Sequence, residues 1–471
     1  MRILELVIIG LLCVLGIQFF LPERIANRAR RELMGWFGVL DLLLILAHAF
    51  IEGSRWQMIP VYLLSSVVFV YSVFQLKDHY KPSTPDMPSL SGKTRKLAFT
   101  SLALLVIVVG TTVSLDLIFP VFTLPNPTGV YTVGTATFEL TDDGREEVFT
   151  ALSGDHRRIL VQAWYPADAV TDLDPVPYIE NPQLFGMGIE YSFGFPSFMV
   201  SHLPLIKTHS YRGVPLSTQA TNYPVVLFSH GYGGLIMQNT ILMEEMASHG
   251  YIVFSINHPY ESAVSIFPDG SVIFELPPPS GHQINDSLAV WADDSQFLLD
   301  QLAISNNDNI PDIFWSGLDF DRIGAMGHSF GGTTAEELCL IDARVKTGIS
   351  FDSPHFGLSL EQNMTKPFML LFGPDYGNPA LNDTVYLRAE NTCYGLYVNG
   401  TRHYNFADVC IWSPVLQSIG LTGNIDGYRM IELQNNYVRA FFDAQFKSMD
   451  SPLLTESSTQ YPEVMFYWNG L

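Results

Sequence analysis

The chain runs to 471 residues, enough for two or three units at roughly 150 residues each. It is 48% hydrophobic and only 15% charged, where roughly a quarter charged is usual. Residues 1–120 carry 11 Lys/Arg against 8 Asp/Glu, while residues 121–471 carry 14 against 39, and so acidic a C-terminal part excludes nucleic acid as a partner because no basic surface is left to meet phosphates.

Four apolar runs open the chain, at about 3–21, 33–51, 56–76 and 97–119. Each is long enough to cross a ~30 Å hydrocarbon core as a helix, so an N-terminal bundle of about four transmembrane helices is expected over residues 1–120. Asp41 and His48 interrupt the second run seven residues apart and so share a helix face. A charge there costs ~2.5–3.5 kcal/mol on insertion scales, so both should face other helices, forming or joining a polar pair. Loop 22–32 carries Arg24, Arg28, Arg30 and Arg31, and loop 77–96 carries Lys77, Lys81, Lys93, Arg95 and Lys96, whereas the loop between them carries only Arg55. The positive-inside rule puts the two basic loops in the cytoplasm and everything after Pro120 outside. A cleaved signal peptide over 1–21 is a rival, but no A-x-A site follows and the arginines lie on the wrong side. A homodimer through the helices is a further expectation.

A proline-rich stalk, "FPVFTLPNPTG" (119–129), marks the boundary to a second part, 121–471. Its elements follow in order. "RRILVQAWYP" (157–166) reads as a strand. Region 184–205 is apolar and Gly-rich, fitting a lid, a lipid-touching surface, or an insertion packed on the core. "YPVVLFSHGYGG" (223–234) is a buried strand running into glycines. Residues 239–249 read as helix, "YIVFSINHP" (251–259) as strand, and 287–302 as helix. "DRIGAMGHS" (321–329) is a strand that ends at a serine, with a helix after it. "VKTGISFD" and "PFMLLFGPD" are two further strands. Near-continuous apolar strands alternating with helices indicate an α/β fold with a mostly parallel sheet covered on both faces. Of the four cysteines, Cys393 and Cys410 could bridge if this part is extracytoplasmic; no zinc spacing is present.

The chemistry is concentrated at "GHSFG" (327–331). A serine at a sharp strand-to-helix turn projects above the sheet, and the turn demands small neighbours two before and two after, here Gly327 and Gly331. Ser329 is thus a candidate nucleophile. A nucleophilic serine needs a base, and the base an orienting acid, in the chain order serine, acid, histidine. His355 and His403 are the only later histidines, and His403 sits where a loop can return over the sheet. Asp352 and Asp375 both end strands, and spacing alone does not separate them. The main-chain N–H groups of Phe330 and Tyr232, the latter in "SHGYGG" (229–234), are the candidate oxyanion donors. His230 is expected to stabilise that loop.

Taken together, "WYPAD", "YPVVLFSHGYGG", "MASHGYIVFSINHPYESA", "GHSFGG", "GISFD" and "RHYNFADV" resemble the plasma-type platelet-activating factor acetylhydrolases, the lipoprotein-associated phospholipase A2 group, from about 160 to 412. The resemblance implies an α/β-hydrolase fold, no metal or cofactor, and cleavage of short or oxidised acyl groups from phospholipids. It implies Ser329 as nucleophile, Asp352 as the acid with Asp375 in reserve, His403 as base, a structural Asp408, and "HPYESA" at the cleft mouth. The secreted animal enzymes lack the helical N-terminal part. Alternatives are a broad carboxylesterase or polyester hydrolase, a non-catalytic hydrolase-like receptor or sensor, and a transporter working through the helices.

Overall fold

The structure, a computed structural model, describes residues 1–18, 28–79, 92–304, 307–315, 317–374 and 379–468. The chain divides into two compact units: Met1–Phe122 with Phe198–Leu205, and Thr123–Ser197 with Ile206–Leu471.

The first unit contains helices α1 (Ile3–Gln18), α2 (Arg28–His48), α3 (Ile59–His79) and α4 (Gly92–Ile118). Among the described residues, three stretches are long and apolar enough to cross a membrane: Glu32–Gly53, Trp56–Phe74 and Phe99–Ile118. Of the run expected over 3–21, residues 19–21 lie outside the described residues, and the described apolar helix covers Ile3–Ile17. Of the charged side chains used to read orientation, those of Arg24, Arg28, Arg30, Arg31, Lys81, Lys93, Arg95 and Lys96 are not described, while Lys77 is exposed and Arg55 buried.

Glycine brings α2 and α3 close: a Cβ on Gly38 would run into Ser72 and one on Gly35 into Leu76. Small residues are what let two apolar helices approach in this way. Asp41 and His48 are both fully buried but part company. His48 Nδ1 meets the Tyr62 hydroxyl at 3.1 Å, and its Nε2 lies 3.4 Å from Glu5 Oε1. Glu5 in turn accepts from Arg55 at 2.7 and 2.6 Å, and Arg55 also pairs with Asp116. Neither oxygen of Asp41 has a hydrogen-bond partner among the described residues. The two side chains therefore form no pair with each other; His48 joins an ionic cluster instead.

The second unit runs β1 (Thr132–Glu146), β2 (His156–Ala167), α5 (Pro182–Phe193), β3 (Ser210–Arg212), β4 (Tyr223–Ser229), α6 (Thr240–Ser248) and β5 (Ile252–Asn257). A small hairpin, β6 (Val264–Ile266) and β7 (Val272–Phe274), precedes α7 (Ile284–Ala303), β8 (Leu318–His328), α8 (Phe330–Ile341) and β9 (Val345–Phe351). The chain continues through β10 (Phe368–Phe372), α9 (Pro379–Leu387), β11 (Cys393–Val398), α10 (Val415–Ser418), α11 (Gly427–Lys447) and β12 (Val464–Trp468). Ten strands form one sheet in the order β12-β11-β10-β9-β8-β4-β5-β2-β1-β3. From β11 to β5 every neighbour is parallel, and β12 and β2 are the antiparallel flanks.

Period-two alternation gives the sheet two cores. In β4, Val225 and Leu227 join one core with α7 and α8, while Val226 and Phe228 join the other with α6 and α11. Both faces being covered, β4 and β5 are buried throughout, which is why they read as unbroken apolar runs. Region 184–205 divides into α5 and two short 3-10 turns, Ser197–Val200 and Leu203–Leu205. Phe198–Leu205 belongs with the first unit, where the Phe198 ring meets Trp56 at 5.1 Å. All four cysteines are free thiols, so the Cys393–Cys410 bridge does not form. Burial pushes the thiols of Cys339 and Cys393 up to about 12.

Candidate active site

The carboxyl ends of parallel strands gather the site residues, as in other open α/β sheets. Ser329 follows β8 and caps α8 with φ 55° and ψ −122°, a conformation that side chains rarely adopt. The surrounding glycines are obligatory. A Cβ on Gly327 would run into the backbone of Gly331, and one on Gly331 into the carbonyls of Ser229 and His230. The Ser329 N–H donates to Phe351 O at 2.8 Å, tying the turn to β9.

Asp352, the residue after β9, also has positive φ, at 48°. Gly373 N–H donates to its Oδ1 at 2.8 Å, and His403 Nδ1 lies 2.8 Å from its Oδ2. Asp352 is sealed, while the His403 side chain keeps 20% of its exposure. Asp375 lies outside the described residues. His403 opens a 3-10 turn, His403–Phe406, beyond β11. His328 ties this turn to the serine: its Nε2 donates to the His403 carbonyl at 3.0 Å, and the two rings lie 4.5 Å apart. Burial, and then the neighbouring His403, hold His328 well below the usual imidazole range, so it stays a neutral donor.

The loop after β4 abuts the serine turn. A Cβ on Gly231 would sit 3.3 Å from Ser329 Cβ and 3.2 Å from His328 Nδ1. Neither Tyr232 N–H nor Phe330 N–H has an acceptor among the described residues. The Tyr232 and Phe330 rings pack edge to face at 5.7 Å.

The family model for platelet-activating factor acetylhydrolase, isoform II, matches residues 118–269 and 305–451, well over half of the chain. The chain is a member of this family. A probable 1-alkyl-2-acetylglycerophosphocholine esterase of Arthroderma benhamiae is 25% identical to it, over 73% of this chain and 94% of its own length. The platelet-activating factor acetylhydrolase of Cavia porcellus is 24% identical, over 72% of this chain and 83% of its own. Among solved structures, a ferulic acid esterase from Streptomyces cinnamoneus matches with a TM-score of 0.64 at 27% identity, over 74% of this chain and 99% of that one. The acetylhydrolase-family sheet is thus mixed α/β, mostly parallel and hydrolase-like.

This acetylhydrolase-family chain holds a buried serine–histidine–aspartate set that sequence reasoning missed. His258 Nδ1 lies 2.9 Å from Asp294 Oδ2, and its Nε2 3.2 Å from Ser229 Oγ. Ser229, the last residue of β4, is 3% exposed, and His258 and Asp294 are at 0%. Asp294 is also saturated by Arg157, at 2.7 and 3.1 Å, and by Arg145 at 2.9 Å. Burial would raise the Asp294 carboxyl, but the Arg157 charge and the His258 bond outweigh it and hold it well below the carboxylate range. This set is a buried structural network. The only trace of it in sequence is polar residues inside apolar elements, such as His258 after "FSIN" and Asp294 in "VWADD".

Three further expectations can be placed. His258, Glu261 and Ser262 of "HPYESA" are buried and Tyr260 is partly exposed, and Glu261 O accepts from Gly233 N–H of the glycine loop at 2.8 Å. His355 pairs with Glu336 at 2.9 Å. Asp408 is buried and accepts at one oxygen from the Tyr178 hydroxyl and Ile241 N–H, both at 3.2 Å. Gln238, not anticipated, joins three loops. Its Oε1 accepts from Gly231 N–H at 3.3 Å, its Nε2 reaches His328 Nδ1 at 3.1 Å, and its carbonyl accepts from Asp408 N–H at 2.9 Å.

Proposed function

We propose that the chain is a membrane-anchored serine ester hydrolase that cleaves short or modified acyl esters of phospholipids. The observation that carries this reading is the 2.8 Å approach of His403 Nδ1 to a sealed Asp352, beside a serine held in a strained turn. His403 takes the Ser329 proton as the hydroxyl oxygen attacks the ester carbonyl. Asp352 holds the ring in the tautomer with its proton on Nδ1, which makes Nε2 the accepting nitrogen. The N–H groups of Tyr232 and Phe330 receive the oxyanion, and losing one such donor typically costs ~2.7–4 kcal/mol of barrier. The ester C–O bond then breaks, the leaving alcohol takes the proton from His403, and water hydrolyses the acyl-enzyme by the same steps in reverse roles. No step calls for a metal.

Family membership supports the ester and the phospholipid. The three long apolar helices and the charge asymmetry support anchoring, with the hydrolase unit extracytoplasmic. The second reading, a broad carboxylesterase, draws on the ferulic acid esterase likeness. A rate on a short-acyl phospholipid well above that on a p-nitrophenyl ester decides for the first reading; the reverse decides for the second. Ser329→Ala is expected to abolish both rates and labelling by a fluorophosphonate while leaving the melting temperature in place. Unchanged turnover would refute the assignment.

A further inference from the structure

A trans peptide is planar, so the carbonyl of one residue and the N–H of the next point in opposite directions. No cis bond occurs among the described residues, so fixing the Gly231 carbonyl also fixes the Tyr232 N–H. Two donors hold that carbonyl: His230 Nδ1 at 2.6 Å and Gly234 N–H at 2.7 Å. On the other side of residue 231, Gln238 Oε1 takes the Gly231 N–H at 3.3 Å.

His230 can donate from Nδ1 while accepting at Nε2 in only one neutral tautomer. The His258 main-chain N–H selects it by donating to His230 Nε2 at 3.3 Å. His258 is itself immobilised: Asp294 at 2.9 Å on one nitrogen, Ser229 at 3.2 Å on the other, and Trp291 stacked on its face at 4.0 Å. Burial, and then the neighbouring His258, hold the His230 ring down to about 3, so it stays neutral through the working pH range.

We infer that His230 is a positioning residue that aims the Tyr232 N–H at the developing oxyanion, with the buried Asp294–His258 pair fixing His230 from behind; this rests on Tyr232 being the oxyanion donor proposed above. An oxyanion donor acts because it is already aimed before charge develops. Without the Nδ1 donor, the 231–232 peptide keeps only Gly234 N–H on its carbonyl and can swing. The penalty falls on the transition state and not on the bound ester, so it reads in kcat and not in KM.

The test compares His230→Phe, which keeps bulk but no donor, with His230→Asn, whose amide nitrogen replaces Nδ1. Full-length protein in detergent is assayed on a short-chain p-nitrophenyl ester, and binding of a boronic acid transition-state analogue is measured alongside. In His230→Phe, kcat is expected to fall ~10–100-fold with KM within about threefold, and boronate affinity to fall in step. His230→Asn is expected to recover most of the loss. If His230→Phe shows no melting transition, His230→Leu takes its place against His230→Asn. An unaltered kcat in the donorless variant, or equal losses in the donorless and Asn variants, overturns the inference. Ser329→Ala runs in parallel. If it keeps turnover, the triad and this inference fall together; if it loses turnover while the donorless variant keeps it, only this inference falls.

Discussion

Asp408 shows how much a single buried oxygen can carry. Burial, above all, raises its carboxyl well above the ordinary range, and one oxygen accepts from both the Tyr178 hydroxyl and the Ile241 N–H. An amide has the same shape and can keep the accepting oxygen. Asp408→Asn is therefore expected to be nearly silent in thermal denaturation, whereas Asp408→Ala strands both donors and costs ~1–3 kcal/mol. A large loss in the Asn variant would show that the charged form matters. Asp352 should behave in the opposite way. In the proposed mechanism its charge and geometry serve His403, so Asp352→Asn is expected to lower kcat by about 10⁴ while the melting temperature holds. At this scale the sequence was legible where local sterics dictate residue type, as at Gly327 and Gly331. It was not legible where partners meet only through sheet closure. Arg157 and Asp294 are 137 positions apart, and no local pattern announces their bond. Asp352 and Asp375 were inseparable by spacing because both follow strands; the approach to His403 is a tertiary fact.

At the scale of elements, apolar runs bounded by turn residues identified β4, β5, β8 and β9 to within a few residues, because both faces of each must be buried. The edges were harder to read. β1 keeps one wet face and trails into "TDDGRE", and β12 is reached only after the long helix α11. The end of the first apolar run, expected at residue 21, lies outside the described residues, which take its helix as far as Gln18. The β8–α8 turn gives a sharp prediction. A methyl on Gly331 meets backbone carbonyls that cannot step aside. Gly331→Ala is expected to lower both the melting temperature and kcat, the latter by more than ~10-fold if the turn opens by about 1 Å. A fully active, fully stable Gly331→Ala would mean that the turn is softer than its dihedral angles imply.

For the molecule as a whole, the buried histidines couple folding to acidity. His230 is held down to about 3 against an unfolded value of ~6.5, so between these limits the unfolded chain binds a proton that the folded chain refuses. Its contribution to stability is complete above pH ~6.5 and is lost as the pH falls toward 3, at about 1.4 kcal/mol per pH unit. The slope of unfolding free energy against pH over that window is expected to be shallower by one proton in His230→Asn. Identical slopes would show that the ring takes up a proton without unfolding.

The excursion of Phe198–Leu205 into the first unit means that the polypeptide changes units three times, near 122, 197 and 205. A protease nicking the proline-rich stalk would therefore cut one of three covalent crossings. Likewise, a gene trimmed to begin after the stalk would still encode Phe198 and His202, stripped of the Trp56 and Phe119 rings they rest on. Excising that eight-residue stretch along with the N-terminal helices should decide whether the trimmed product stays in solution or clumps.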